Sequence, residues 1–409
     1  MENAKNVTLK PESERLLSID RFRGLLLFLN AVGYMIGAFA SITVRLPFLN
    51  SANGKMFEVL RGVPFDDIFL PLFVFVMGLT ACGSFKKVSD RFGPTAAMKK
   101  FGLKYLILIG FGTVSLDAIA ITYEMVAEKT AFSDLFIAYR LVLILFFVFI
   151  ALALIYFVTK IIKKPKLTKI VSGCIKAIWA AGGAVTVFFL VRTSGFLITG
   201  ENPIEIMDVF QTIGLAALFA LPFMGLNKWG KLTAALVFGF ILTTFYGYGG
   251  LDGFGNEVFN GGFIGGMGWA IPVLLGGYFK DIKDKRILYW ISCALCIAVP
   301  LILVYKFNFI AERRGGTPVY TLFASGLGAA IWGGFNLLSK VYNPKRSFLS
   351  VWGGSSILTY SLSIIISTLL GAFASGLPIV AAVSVAVIIV AGLFFLNFSL
   401  IKKGIHIKI

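Results

Sequence analysis

Charged residues are scarce in this sequence, and acidic residues are the scarcest of them. Asp, Glu, Lys and Arg together make up 14% of the 409 residues, whereas an ordinary soluble domain has roughly 25%. Hydrophobic residues make up 58%, and the mean hydropathy is +0.88. A chain with so little polar surface cannot face water on all sides, which excludes a soluble globular protein.

Histidine and cysteine are also rare. The one histidine, His406, stands near the end of the chain, and a terminal tail is a poor place for a general base. There are four cysteines, Cys82, Cys174, Cys293 and Cys296. The last two have CxxC spacing, but they stand in an apolar run without histidine or carboxylate neighbours. We therefore expect them to pack in a core, and we predict no metal site.

Long hydrophobic runs fill most of the chain. Each run of about 18 to 25 residues is long enough to cross about 30 Å of hydrocarbon as a helix, and backbone groups in lipid need internal hydrogen-bond partners. Strand-like alternation is not seen. We predict an all-α, polytopic membrane bundle that forms one domain over residues 1–409, with about twelve spans (roughly 10 to 12). The predicted spans are 24–43, 68–85, 102–123, 135–159, 177–191, 209–224, 232–246, 263–279, 288–305, 320–338, 348–370 and 377–400.

The fifth predicted span, 177–191, is interrupted by Gly182 and Gly183. Two adjacent glycines weaken a helix, so this segment could instead lie in the membrane interface or fuse with a neighbouring helix. In that case the number of spans falls below twelve.

Basic residues are concentrated in every second connection between the predicted spans. The connections after even-numbered spans are rich in Lys and Arg. Those after odd-numbered spans are poorer in them, and the third, fifth and seventh connections carry Asp and Glu. Basic loops stay in the cytoplasm, so we expect both termini to be cytoplasmic. The net charge of +18 then faces anionic lipid, and we expect the lipid bilayer, not a nucleic acid, as the partner. The basic connections contain Lys86, Lys87, Arg91, Lys99 and Lys100, then Lys160, Lys163, Lys164, Lys166 and Lys169.

Four polar side chains fall within predicted spans, where they are costly and therefore candidates for a functional site. They are Asn30, Asp117, Arg140 and Asn336. Asp117 and Arg140 lie on consecutive helices near the same end, so we expect them to neutralise each other, with a functional role as the alternative.

Glycines cluster before and within the start of the eighth span. Small residues at this spacing let helices approach closely, and packing is the interpretation that we favour. The alternative is an anion or oxyanion site at the bare amides of a helix N-terminus. The glycines at the start of the helix are Gly261, Gly262, Gly265, Gly266 and Gly268.

Several motifs resemble those of one family of membrane enzymes. Residues 15–24 read R-L-L-S-I-D-R-F-R-G, and 65–78 read F-D-D-I-F-L-P-L-F-V-F-V-M-G. Residues 209–215 read V-F-Q-T-I-G-L, and 316–320 read G-T-P-V-Y; the stretch 261–276 ends in L-L-G. These blocks, in this order, resemble the transmembrane acyltransferases that include heparan-alpha-glucosaminide N-acetyltransferase and its bacterial relatives.

The resemblance implies acyl transfer across a bacterial cytoplasmic (inner) membrane. Family members take an acetyl group from cytoplasmic acetyl-CoA and deliver it to the amine or hydroxyl of an extracytoplasmic sugar or glycan. By this resemblance Asp20 and Arg23 are candidates for contact with CoA, and the alternative for them is an i, i+3 ion pair that anchors the first helix. Asn30 matches the asparagine that follows in the family motif and is a candidate substrate-binding residue. A homodimer is the candidate assembly.

The family's catalytic histidine is not matched. Phe57 stands at its position and Leu60 at that of the following tryptophan. A general base would then have to be a carboxylate, with Asp67 as the candidate and Asp66 as its partner. N-capping of the second predicted helix is the alternative for both.

Gln211 and Arg313 are candidate substrate-orienting groups. The charge-based orientation puts both of them, with Asp67 and the glycines at Gly261, at extracytoplasmic helix ends. We therefore expect one pocket there. Two hypotheses remain open: an acyltransferase, or a catalytically inactive relative that binds or transports a small polar molecule. A cavity that connects the two faces favours transfer, and a sealed cytoplasmic side favours binding alone.

Overall fold

The computed structural model describes residues 17–39, 41–42, 58–61, 63–119, 121–122, 131, 137–195, 209–246, 261–313, 315–341 and 347–402. Within these ranges the chain is almost entirely helical, which confirms the all-α class. The helices are α1 Leu17–Gly37, α2 Phe69–Phe92, α3 Pro94–Gly112, α4 Ile137–Ile161, α5 Pro165–Gly195, α6 Val209–Ala220, α7 Lys228–Tyr246, α8 Gly262–Ile282, α9 Arg286–Phe307, α10 Pro318–Val341, α11 Phe348–Gly353, α12 Ser356–Ala374 and α13 Ile379–Lys402.

Eight of the described helices are long and apolar enough to cross a membrane: α2, α4, α5, α8, α9, α10, α12 and α13. The other predicted spans coincide with α1, α3, α6 and α7, which are shorter or carry more charge. Every predicted span therefore contains a helix, and the count of twelve crossings stays a prediction.

The prediction of a single eleventh span is wrong, because α11 and α12 replace it. Ser347 starts α11 with a capping box, in which Ser347 and Ser350 each accept from the other's backbone N–H. The helix stops after Gly353, and Ser355 has a non-helical backbone (φ −129°, ψ 53°). Glycine and serine are weak helix formers, and this run gives the chain its turn.

The fifth span is not interrupted at its glycines, since α5 runs unbroken through Gly182 and Gly183. These glycines lie where α5 packs against α3. A Cβ atom at Gly183 would lie 2.0 Å from the Leu106 carbonyl oxygen, and one at Gly110 would lie 1.6 Å from the Trp179 carbonyl oxygen. The absence of side chains therefore lets the two backbones touch.

Two further helix pairs approach closely through glycine–backbone contacts of the same kind. Gly24 of α1 packs on the Leu349 carbonyl of α11, and Gly353 of α11 packs on the Asp20 carbonyl of α1. Gly78 of α2 and Gly276 of α8 meet each other's helix in the same reciprocal way. α8 lies at the centre of the bundle, where it packs against α2, α6, α7 and α10.

Three short features were not predicted from the sequence. Residues Glu58–Leu60 and Val63–Pro64 form a small antiparallel hairpin, in which Leu60 opposes Val63 and Glu58 opposes Pro64. A 3₁₀ turn, Asp66–Ile68, then leads into α2. At the end of α3, residues Thr113–Asp117 continue as a π-helix, a form that occurs mostly as single turns and often at functional sites.

Candidate functional site

The two ends of the bundle carry different polar clusters. We call the end where α1 begins the Asp20 end, and the end where α2 begins the Asp67 end. α2 runs from the Asp67 end to the Asp20 end, and α3 runs back.

At the Asp67 end, Asp67 joins two distant parts of the chain. Its Oδ1 accepts a hydrogen bond from Arg313 Nη1 at 2.7 Å, and its backbone carbonyl accepts one from the Tyr320 hydroxyl at 2.5 Å. The Asp67 and Arg313 side chains are 22% and 24% exposed. The N-cap position of α2 is Ile68, without a side-chain cap bond. The N-capping alternative for Asp67 is therefore wrong, because its carboxylate holds Arg313.

The turn before α10 contacts the first turns of α8. A Cβ atom at Gly268 would lie 2.0 Å from the Gly316 carbonyl oxygen, which explains the glycine at that position. The Trp269 and Tyr320 rings meet edge to face, with centroids 5.8 Å apart. The blocks predicted to share one helix end, those of Asp67, the α8 glycines and Arg313, are thus in contact. The glycines serve packing, as we favoured. The Asp66 side chain lies outside the described part of the chain.

Gln211, at the start of α6, belongs to a different cluster from Asp67. Its Nε2 donates to Thr113 Oγ1 at 3.2 Å and to the Asp117 carboxylate. Thr186 of α5 donates to the same Thr113 hydroxyl at 3.0 Å. Gln211 is fully buried, and its Oε1 has no hydrogen-bond partner among the described residues. The Asp117–Gln211 contact was not predicted, and the pairing of Asp117 with Arg140 stays a prediction.

A cavity of about 410 Å³ lies between α1, α2, α3, α6 and α12. At the Asp20 end its lining includes Arg23 and the exposed residues Ser84 and Lys104, and we call this part of the cavity its mouth. Along α2 the lining runs from Ser84 to Phe73, which corresponds to about 16 Å at 1.5 Å per residue. The interior walls are mainly apolar, with side chains such as Leu27, Val76, Leu108 and Ile213. The cavity therefore fits an elongated molecule with an anionic end.

Of the two residues predicted to contact CoA, Arg23 lines this mouth and Asp20 does not. Arg23 Nη1 lies 3.8 Å from Asp20 Oδ1, so the i, i+3 pair is present. Arg23 lines the cavity as well, so the pair and a ligand contact are compatible. Arg21, between them, is buried and donates from Nη1 to Ser339 Oγ at 3.0 Å.

Aromatic side chains surround the inner end of the cavity. Tyr360 of α12 lines it and packs against Phe73, Phe210 and Tyr34 with ring centroids 6.2, 5.2 and 6.0 Å apart. The hydroxyls of Tyr34 and Tyr360 are hydrogen-bonded at 2.9 Å. Asn30 lies one helical turn before Tyr34 on α1, and its Oδ1 is buried without a partner among the described residues.

The cysteines of the CxxC motif pack as expected. Cys293 and Cys296 are buried, and the Cys293 thiol lies 3.3 Å from the Gly326 carbonyl oxygen of α10. In the described part of the chain no group of three or more His, Cys, Asp or Glu side chains is arranged to hold a metal ion.

No model of a known protein family matches this sequence, and no curated protein matches it either. The family resemblance therefore rests on the motifs themselves.

Sequence reasoning missed three residues that line or adjoin the cavity: Lys104, Tyr34 and Tyr360. Lys104 had a visible signal, since it is a charge just inside an apolar span. The tyrosines had no signal of their own, because a tyrosine in an apolar helix is usually a packing residue.

Proposed function

We propose that this chain is an integral membrane protein whose Asp20 end faces the cytoplasm. The eight long apolar helices support membrane insertion. The predicted cytoplasmic connections lie at the Asp20 end, including the exposed Lys163 between α4 and α5 and Lys285 between α8 and α9. Lys and Arg accumulate on the cytoplasmic side of membrane proteins, which supports this orientation.

Acyl transfer from acetyl-CoA to an extracytoplasmic sugar or glycan is the activity that we propose for this scaffold. The observation that carries it is the cavity that enters from the Asp20 end and reaches Phe73 and Tyr360. Arg23 and Lys104 at the mouth suit the phosphates of CoA, because both are strong donors to phosphate oxygens. The apolar interior suits the arm that carries the acyl group.

The acceptor approaches from the Asp67 end. Phe73, at the inner end of the cavity, is about 9 Å along α2 from Asp67 at 1.5 Å per residue. Asp67 serves as the general base, and Arg313 holds and orients it. Asn30 and Gln211 carry buried amide oxygens that lack a donor among the described residues, but neither side chain lines the cavity.

In the transfer step, the acceptor oxygen or nitrogen bonds to the thioester carbonyl carbon, and the C–S bond breaks. The acceptor proton passes through the base to the departing thiolate, which gives free CoA. Atoms and charge balance without a metal or redox partner.

A binding or transport role without catalysis is the second candidate. It is favoured by the phenylalanine at the family's histidine position, Phe57, and by the aromatic side chains that surround the inner end of the cavity. Such a protein would keep the cavity but lack turnover.

The proposal is tested by measuring acetyl-CoA binding and turnover with purified protein in detergent. Turnover is measured as hydrolysis or as transfer to glucosamine. We expect wild type to bind and turn over acetyl-CoA. We expect Asp67→Asn to keep binding but lose about 10²-fold or more in turnover, the size of a general-base contribution. Binding without turnover in wild type would favour the second candidate, and absence of binding would overturn the acyltransferase.

A further inference from the structure

At its inner end the cavity is lined by Tyr360, whose hydroxyl is hydrogen-bonded to that of Tyr34, a residue outside the lining. The Tyr34 and Tyr360 hydroxyl oxygens are 2.9 Å apart, and Tyr360 is 4% exposed. A buried tyrosine hydroxyl needs a hydrogen-bond partner, and here the partner is a second phenol. In a low-dielectric interior, linked hydroxyls polarise each other and become stronger donors.

The surrounding helices hold this pair rigidly. Tyr34 comes from α1, and its backbone carbonyl accepts a hydrogen bond from Ser367 Oγ of α12 at 3.1 Å. The Tyr360 ring is held by edge-to-face contacts with Phe73 on α2 and Phe210 on α6. A donor fixed on four packed helices keeps its direction during a reaction, which is what charge stabilisation in a transition state requires.

The position of the pair matches where a reacting group would arrive. A donor whose phosphates contact Arg23 and Lys104 extends along the cavity axis toward Tyr360. The acyl end of the donor is therefore the part that reaches the phenols.

We propose that Tyr360, supported by Tyr34, donates a hydrogen bond to the thioester carbonyl oxygen of the acyl donor. This assignment rests on the proposed acyl transfer. When the acceptor adds to the carbonyl carbon, negative charge develops on that oxygen before the C–S bond breaks. The Tyr360 hydroxyl stabilises this charge and keeps its own proton. Tyr360 is then a catalytic residue, and Tyr34 is a positioning residue.

The test compares Tyr360→Phe with Tyr278→Phe. Tyr278 is the matched control, because its hydroxyl is also paired with a hydroxyl, that of Ser292 at 2.8 Å, and it lies on α8 away from the cavity lining. We expect Tyr360→Phe to lower kcat by about 10²-fold, the effect of removing one oxyanion donor, with the KM for acetyl-CoA and its binding nearly unchanged. Tyr278→Phe keeps wild-type kcat.

Tyr34→Phe is the second variant, and it keeps the inference testable if the Tyr360→Phe protein does not fold. We expect a smaller fall in kcat, about tenfold, because only the polarising partner is lost. Equal kcat in wild type, Tyr360→Phe and Tyr34→Phe would overturn this inference while leaving the acyltransferase intact. A wild-type protein that does not turn over acetyl-CoA would overturn both.

Discussion

At the residue scale, Asp67 has a structural task in addition to its proposed chemistry. The carboxylate ties the start of α2 to the turn before α10 through Arg313, and both side chains remain partly exposed. Ion pairs of this kind contribute little to stability, about 1 kcal/mol or less, because water already solvates the separated charges. Loss of turnover in Asp67→Asn therefore cannot be explained by unfolding alone.

A double-mutant cycle separates the two tasks. We expect Asp67→Asn and Arg313→Gln each to lower the unfolding free energy by about 0.5 to 1 kcal/mol, and the double variant to lose no more than the larger single effect. Only the variants that lack the Asp67 carboxylate should lose most of the turnover. Fully additive destabilisation would show that the two side chains do not interact, contrary to the geometry at 2.7 Å.

Sequence patterns predicted the charged residues of the candidate site better than its tyrosines or its amide side chains. Asp67, Arg313, Asp20 and Arg23 stand out because they lie in or beside the motifs on which the family resemblance rests, and they fall into two pairs at opposite ends. Gln211 was predicted as an orienting group near Asp67 and instead bonds to Asp117. The π-helix Thr113–Asp117 rotates the side chains that follow relative to their positions in a regular α-helix. The sequence spacing therefore could not predict which side chains α6 would contact.

At the element scale, reciprocal glycine contacts set how closely the helices approach. The α3–α5 pair shows this most clearly, since Gly110 and Gly183 each press against the other helix's backbone. Backbone, unlike a flexible side chain, cannot move aside for an added Cβ. Closely spaced helices of this type are held by van der Waals packing.

Gly183→Ala and Gly173→Ala offer a test within one helix. Gly183 has the Leu106 carbonyl oxygen 2.0 Å from an added Cβ, whereas Gly173 has nothing within 4 Å. We expect Gly183→Ala to lower the unfolding free energy by about 1 to 3 kcal/mol through overpacking. Gly173→Ala should be neutral or raise it by up to about 1 kcal/mol through better helix propensity. Thermal unfolding in detergent measures both, and equal shifts would contradict the close approach of α3 and α5.

Hydrophobic run length predicted the helices well and their interruptions poorly. Each predicted span contains a helix, because an apolar run leaves the backbone no other partner. The break between α11 and α12 escaped prediction because Gly353 and Ser355 are tolerated inside helices. The Gly182–Gly183 pair produced the opposite error, because this glycine pair, packed against α3, stays helical.

At the scale of the whole molecule, polar side chains form clusters at both ends, and a cavity extends inward from one of them. The Asp67–Arg313–Tyr320 cluster lies at one end, outside the cavity lining, and Arg23 and Lys104 line the cavity toward the other. Charge alternation in the sequence predicted this division, since it separates loops by side. It could not predict the cavity, because a cavity depends on how five helices pack together.

Sided binding of acetyl-CoA tests the central claim most directly. Labelled acetyl-CoA is added to sealed membrane vesicles that expose either the cytoplasmic or the extracytoplasmic face. Three proteins are compared: wild type, Arg23→Gln, and Lys163→Gln as the control for a cation at the same end outside the cavity lining. We expect binding at the cytoplasmic face only. It should be unchanged in Lys163→Gln and at least about tenfold weaker in Arg23→Gln, the cost of one charge-assisted contact. Absence of binding at either face, or equal binding by all three proteins, would contradict a donor site at the Asp20 end.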